Sequence, residues 1–76
     1  MPHIVVKLYA GRSEQQKAAL AEAVTKTVVE TIGAGRHSIS VGIEDVDPKD
    51  WNDRVYQPDV SGKPHTIYKK PGCDPR

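Results

Sequence analysis

The first apolar stretch of the chain, His3 to Tyr9 (HIVVKLY), carries Ile4, Val5, Val6 and Leu8 and predicts a mostly buried strand. Gly11 and Arg12 mark the turn after it. Ser13 and Gln16 have capping-box spacing: the serine hydroxyl can take the amide of Gln16, and the glutamine side chain can return to Ser13. Leu20, Val24, Val28 and Ile32 then recur every four residues, with Lys17, Glu22, Lys26 and Glu30 elsewhere on the wheel. This predicts an amphipathic helix over residues 14–32, stopped by Gly33 and Gly35. Ser38 to Asp45 (SISVGIED) alternates, with Ile39, Val41 and Ile43 on one side and Ser40 and Gly42 on the other, which predicts a second strand.

Strand, helix and strand in this order make a β-α-β unit whose two strands run parallel through a right-handed crossover. Asp47 and Pro48 can cap a short helical turn through Trp51. Tyr56 to Lys63, rich in Pro, Gly and Asp, reads as irregular, and His65 to Tyr68 as a brief strand or hairpin arm. The expected fold class is therefore α/β (α+β), one domain over residues 1–76. One helix covers one face of a strand pair; the other face needs a cover, which a second subunit supplies most simply.

Composition narrows the function classes. A chain of 76 residues buries a modest core, and its single cysteine, Cys73, rules out an internal disulfide and fits a reducing compartment. Oligomerisation is the remaining stabilising device. Eleven basic residues against ten acidic give a net charge of +1. That is not the field of a nucleic-acid binder, and Lys63, Lys69, Lys70 and Arg76 make only a weak basic tail. No apolar run is long enough for a bilayer and no export leader is visible, so a soluble, cytoplasmic protein is expected.

Pro2 is the first candidate for chemistry. Methionine is normally trimmed before a small residue such as proline, which leaves a cyclic secondary amine at the head of the first strand. A terminal amine titrates near ~7.7–8.0 in peptides, and a prolyl amine somewhat higher. Burial and a nearby cation both disfavour its protonated form, so the site can hold a neutral general base that later returns the proton. Taken alone, a proline after the initiator is unremarkable. Arg12 is the second candidate: a guanidinium at a strand-to-helix turn can grip a carboxylate with two parallel hydrogen bonds. Taken alone, it reads as a solvated arginine beside Ser13. It lies ~30 Å along the strand from Pro2 at ~3.3 Å per residue, so it would serve a neighbouring subunit's proline.

Pro2, the apolar strand, the run Gly11-Arg12-Ser13-Glu14-Gln15-Gln16-Lys17, the helix and the second strand together resemble the 4-oxalocrotonate tautomerase family over residues 2 to about 51. The remainder, with Trp51 and Ile67-Tyr68-Lys69-Lys70-Pro71-Gly72, is similar to PptA-like tautomerases. The resemblance implies a β-α-β protomer, dimers that join two sheets, and in some members trimers of dimers. It implies no cofactor and no metal. Pro2 would shuttle a proton between the enol oxygen and a carbon of a small 2-hydroxy-unsaturated or 2-oxo acid, Arg12 would hold a substrate carboxylate, and Trp51 would form an apolar wall. In 4-oxalocrotonate tautomerase itself a second arginine occupies the position of Ser40, which supplies a hydrogen bond and no charge. Arg36 or His37, just upstream, could reach in instead.

Other candidates are weaker. His3, His37 and His65 lack metal-ligand spacing, and His3, alternating outward from Ile4, reads as a surface histidine or the mouth of the pocket. Ser38, Ser40 and Ser61 lack a nucleophile elbow, and Tyr9, Tyr56 and Tyr68 read as packing residues. Two further readings stay open beside the tautomerase: a Pro2-dependent dehalogenase or decarboxylase, and a non-catalytic oligomeric binding protein.

Overall fold

A computed structural model describes residues 1–72 and contains two compact units, Met1–Asp45 and Val46–Arg76. The first is built on strand β1 (His3–Tyr9), helix α1 (Glu14–Ile32) and strand β2 (Ser40–Val46), whose last residue opens the second unit. The two strands pair side by side and parallel, with α1 as the crossover. The register is set where they begin: the Ser40 amide donates to the Pro2 carbonyl at 3.2 Å.

α1 begins and ends where the pattern places it. The Ser13 hydroxyl accepts from the Gln16 amide at 3.1 Å, and Gln16 Oε1 accepts from the Ser13 amide at 3.0 Å, so two orphan donors of the first turn are satisfied. The helix stops at Gly33, whose left-handed backbone (φ 73°) returns its amide to the Val29 carbonyl. A short 3₁₀ turn, Arg36–Ser38, then delays β2 to Ser40, two residues after the expected start.

Alternation divides the sheet into two faces. Leu8 and Ile43 line shallow depressions with residues of α1, which marks the helix-covered face. Lys17 of α1 reaches the same side of β2, meeting Asp45 Oδ2 at 2.8 Å, with Glu14 at 3.2 Å on its own helix. Its side chain is 15% exposed. Hydrogen bonds to Asp45 and then Glu14 hold the ammonium above the usual lysine value of 10.5. A raised folded-state pKa gives stabilisation that is complete below 10.5 and lost as the pH climbs through the folded value. The melting temperature of Lys17→Met should therefore lie below the parent's at pH 8, with the gap narrowing steadily above pH 10.5. A gap that stays constant to the alkaline limit would assign the difference to packing.

The opposite face of β1 is open: Val5 is 41% and Tyr9 47% exposed. No described residue of Met1–Asp45 is fully buried in the single chain, and the apolar stripe of α1 is only half covered.

The second unit holds the two buried residues among those described, Val46 and Val55. Asp47 caps a 3₁₀ turn, Pro48–Asp50, by accepting from the Lys49 amide at 3.0 Å, as the Asp-Pro pair predicts. Tyr56 to Lys63 is not irregular, contrary to the sequence expectation. Asn52–Ser61 is a π-helix with Pro58 inside it. Proline has no amide hydrogen, and its ring collides with the carbonyl four residues back in an α-helix. A wider i→i+5 turn relieves that collision, as in the Gly62 amide donating to the Gln57 carbonyl at 2.8 Å. Gly62 is required by this closure: a Cβ there would sit 2.5 Å from the Gln57 oxygen and 3.1 Å from the Pro58 oxygen. Gly62→Ala should cost about 2 kcal/mol, read as a lower denaturation midpoint at unchanged m-value. The expected strand or hairpin arm at His65 to Tyr68 is also corrected, because Pro64–Thr66 forms a 3₁₀ turn closed by Thr66 N to Lys63 O. Pro64 at the first turn position favours that conformation over an extended one. Cys73 and Arg76 lie outside the described residues.

Candidate active site

Pro2 precedes β1 and is half-buried. Its carbonyl is pinned by the Ser40 amide, so the ring nitrogen is held at the edge of a hydrogen-bonded sheet. Met1, before it, is fully exposed and packs on nothing.

Ser40 is brought to Pro2 twice over. Besides the backbone bond, its Oγ lies 2.7 Å from Nδ1 of His3, the residue after Pro2. The first positions of two parallel strands thus share one face, and the exposed His3 is bonded there to Ser40. Sequence reasoning missed the pair although its signal was present: alternation puts His3 opposite Ile4 and Ser40 opposite Val41.

The two basic residues considered as substitutes for the missing charge at Ser40 are otherwise engaged. The Arg36 guanidinium holds both carboxylate oxygens of Glu22 on α1, Oε1 at 2.7 Å. The same contact pushes the Glu22 carboxyl below its usual 4.5. His37 turns its ring back over Gly35, where an added Cβ would meet the ring at 2.9 Å. Neither reaches toward Ser40 in this arrangement, so the position keeps its neutral hydroxyl.

Arg12 lies at the far end of β1 from Pro2, and one chain does not bring the two together. Gly11, at φ 126°, is in a backbone region that side-chain-bearing residues rarely adopt and swings the chain out of the strand before Arg12. Arg12 borders a depression of about 180 Å³ with Leu8, Gln16, Lys17 and Leu20. Lys17 is committed to Asp45 and Glu14, whereas Arg12 pairs with no carboxylate among the described residues. It is an exposed cation with its donor fork open.

Trp51 belongs to the second unit, where it joins the turn Pro48–Asp50 to the π-helix and is half-buried. Among the described residues no helix is long and apolar enough to cross a membrane.

Comparison with known proteins agrees with this arrangement. A family model described as a tautomerase enzyme matches residues 2–53, beginning at Pro2. A probable tautomerase of Xylella fastidiosa is 39% identical over 72 residues, covering 95% of this chain and 88% of its own length. Tautomerase PptA of Pectobacterium atrosepticum is 39% identical over 75 residues, covering 95% and 96%. Among solved structures, TomN, a 4-oxalocrotonate tautomerase homologue of the tomaymycin biosynthetic pathway, superposes with a TM-score of 0.64 at 42% identity, over 66% of this chain and 77% of its own. A 4-oxalocrotonate tautomerase isozyme of Methylibium petroleiphilum gives 0.64 at 38% identity, over 66% and 81%. With a proline heading β1, an arginine beyond its far end and a β-α-β frame between and after them, this chain belongs to the tautomerase family.

Proposed function

We propose that this protein is a cofactor-free, cytoplasmic keto–enol tautomerase of small 2-hydroxy-unsaturated or 2-oxo acids, with the amine of Pro2 as its base and acid. The observation that carries the reading is the Pro2 carbonyl bonded to the Ser40 amide at the start of the sheet. A proline tied into the sheet by its carbonyl supports a defined position for its nitrogen, as proton transfer at hydrogen-bond distance requires. Removal of Met1 is part of the proposal, since an amide nitrogen has no basic lone pair.

In ketonisation the neutral Pro2 nitrogen takes the enol O–H proton, and that bonding pair becomes the C=O π bond. The former C=C pair takes a proton from the prolyl ammonium at carbon, and the amine is neutral again. Arg12 from a second copy holds the substrate carboxylate, and Trp51 supplies an apolar wall that favours the uncharged amine.

The assembly is a homo-oligomer, a dimer or a trimer of dimers. Its support is the absence of any fully buried residue in the described part of Met1–Asp45, together with the open face carrying Val5 and Tyr9. So little covered apolar surface leaves a chain of this size marginal by itself, a deficit that a subunit interface would make up.

The test has two parts. Intact mass of protein purified from cells should lack Met1, and NMR titration of the Pro2 amine should give a pKa that coincides with the acidic limb of kcat/KM for phenylenolpyruvate or 2-hydroxymuconate, where activity falls as the amine is protonated. A retained Met1, or a fully charged amine at the pH of maximal activity, sinks the proposal.

A further inference from the structure

The bond between His3 Nδ1 and Ser40 Oγ joins residues 37 apart in sequence, and the Pro2 chemistry above leaves it without a task. It is a second tie at the point where Ser40 N already holds Pro2 O, so one residue of β2 orients both the backbone of Pro2 and the side chain next to it.

The donor pattern of this pair has a chemical consequence. When the Ser40 hydroxyl donates, the lone pair of His3 Nδ1, 2.7 Å away, accepts its proton. An imidazole whose Nδ1 accepts carries its proton on Nε2. His3 is exposed and directly follows Pro2, so in that tautomer Nε2–H is a donor open to a ligand. In that tautomer the hydroxyl holds the ring as an oriented donor.

We propose that His3 is a substrate-binding residue of the Pro2 site, donating from Nε2–H to the oxygen on C2 of a 2-oxo or 2-hydroxy acid, and that Ser40 is its positioning residue. The inference rests on the Pro2 reading for the identity of the acid. That oxygen alternates between hydroxyl and carbonyl during the reaction and gains negative charge between them. A pre-oriented donor aimed at it favours the transition state over the ground state.

The experiment combines kinetics with a binding measurement that needs no turnover. With phenylenolpyruvate, His3→Ala should lower kcat about 100-fold with KM little changed, as for loss of one pre-oriented donor. His3→Gln, which keeps an N–H, should recover about tenfold of that loss. Ser40→Ala should lose about tenfold, Ser40→Thr, which keeps the hydroxyl, should recover most of that loss, and the His3→Ala/Ser40→Ala double variant should be no worse than His3→Ala. Independently, ¹⁵N-histidine spectra, assigned with His3→Gln, should show the Nε2–H tautomer for His3. Its Nε2 resonance should shift on adding benzoylformate, a 2-oxo acid that cannot enolise. A His3→Ala variant with parental kcat, or a His3 resonance indifferent to benzoylformate, overturns the proposal. Pro2→Ala separates the two claims: parental turnover in that variant defeats the Pro2 mechanism, while the benzoylformate response still decides the role of His3.

Discussion

Pro2→Ala is expected to lower kcat for phenylenolpyruvate ketonisation by at least about 10²-fold, the scale of a lost positioned acid–base group. Alanine is also small enough for Met1 to be removed before it, so the variant still presents a free terminal amine. What changes is the amine itself. The secondary ring nitrogen becomes a primary one on a rotatable bond, and its position is no longer tied to the backbone through the ring. The carbonyl of residue 2 still accepts from the Ser40 amide, so the sheet register survives and the fold should be intact by circular dichroism. A folded Pro2→Ala protein with parental kcat would show that the proline ring nitrogen is not the catalytic base.

Arg12→Ala should have the next largest effect, and its most informative consequence is complementation. The guanidinium pairs with no carboxylate among the described residues, so its removal orphans no buried partner and should leave the melting temperature nearly unchanged. A lost bidentate contact to a substrate carboxylate is worth about 1.5–3 kcal/mol, so KM should rise roughly 10- to 150-fold. Arg12 and Pro2 lie at opposite ends of β1. If each site takes its proline from one chain and its arginine from another, mixed oligomers of Pro2→Ala and Arg12→Ala regain sites with both groups intact. Activity should therefore rise above that of either impaired protein when the two are unfolded together and refolded. No recovery, with hybrid oligomers demonstrated by mass, would refute the shared site.

Much of this was legible in the order of residues because it depends on local relations. Fourfold spacing from Leu20 to Ile32, the Ser13–Gln16 box and the alternation of both strands each involve neighbours a few positions apart, and each element formed with boundaries within two residues of expectation. The separation of Arg12 from Pro2 is equally local, since a strand has a fixed rise per residue. The π-helix escaped because local rules treat Pro58 as a breaker, whereas widening the turn by one residue accommodates it.

What only the tertiary structure decided are the relations set by register and by the return of the chain. Whether Ser40 faces His3 depends on how β2 slides along β1, and a slip of one residue would turn its hydroxyl to the helix side. Whether Arg36 serves the site depends on the path from α1 into β2, which delivers it to Glu22, 14 residues earlier on the helix. The sequence thus determined which elements form and which groups have the chemistry of a base and a carboxylate clamp. Folding decided which of those groups meet, because hydrogen-bond partners distant along the chain are chosen by packing that no local pattern encodes.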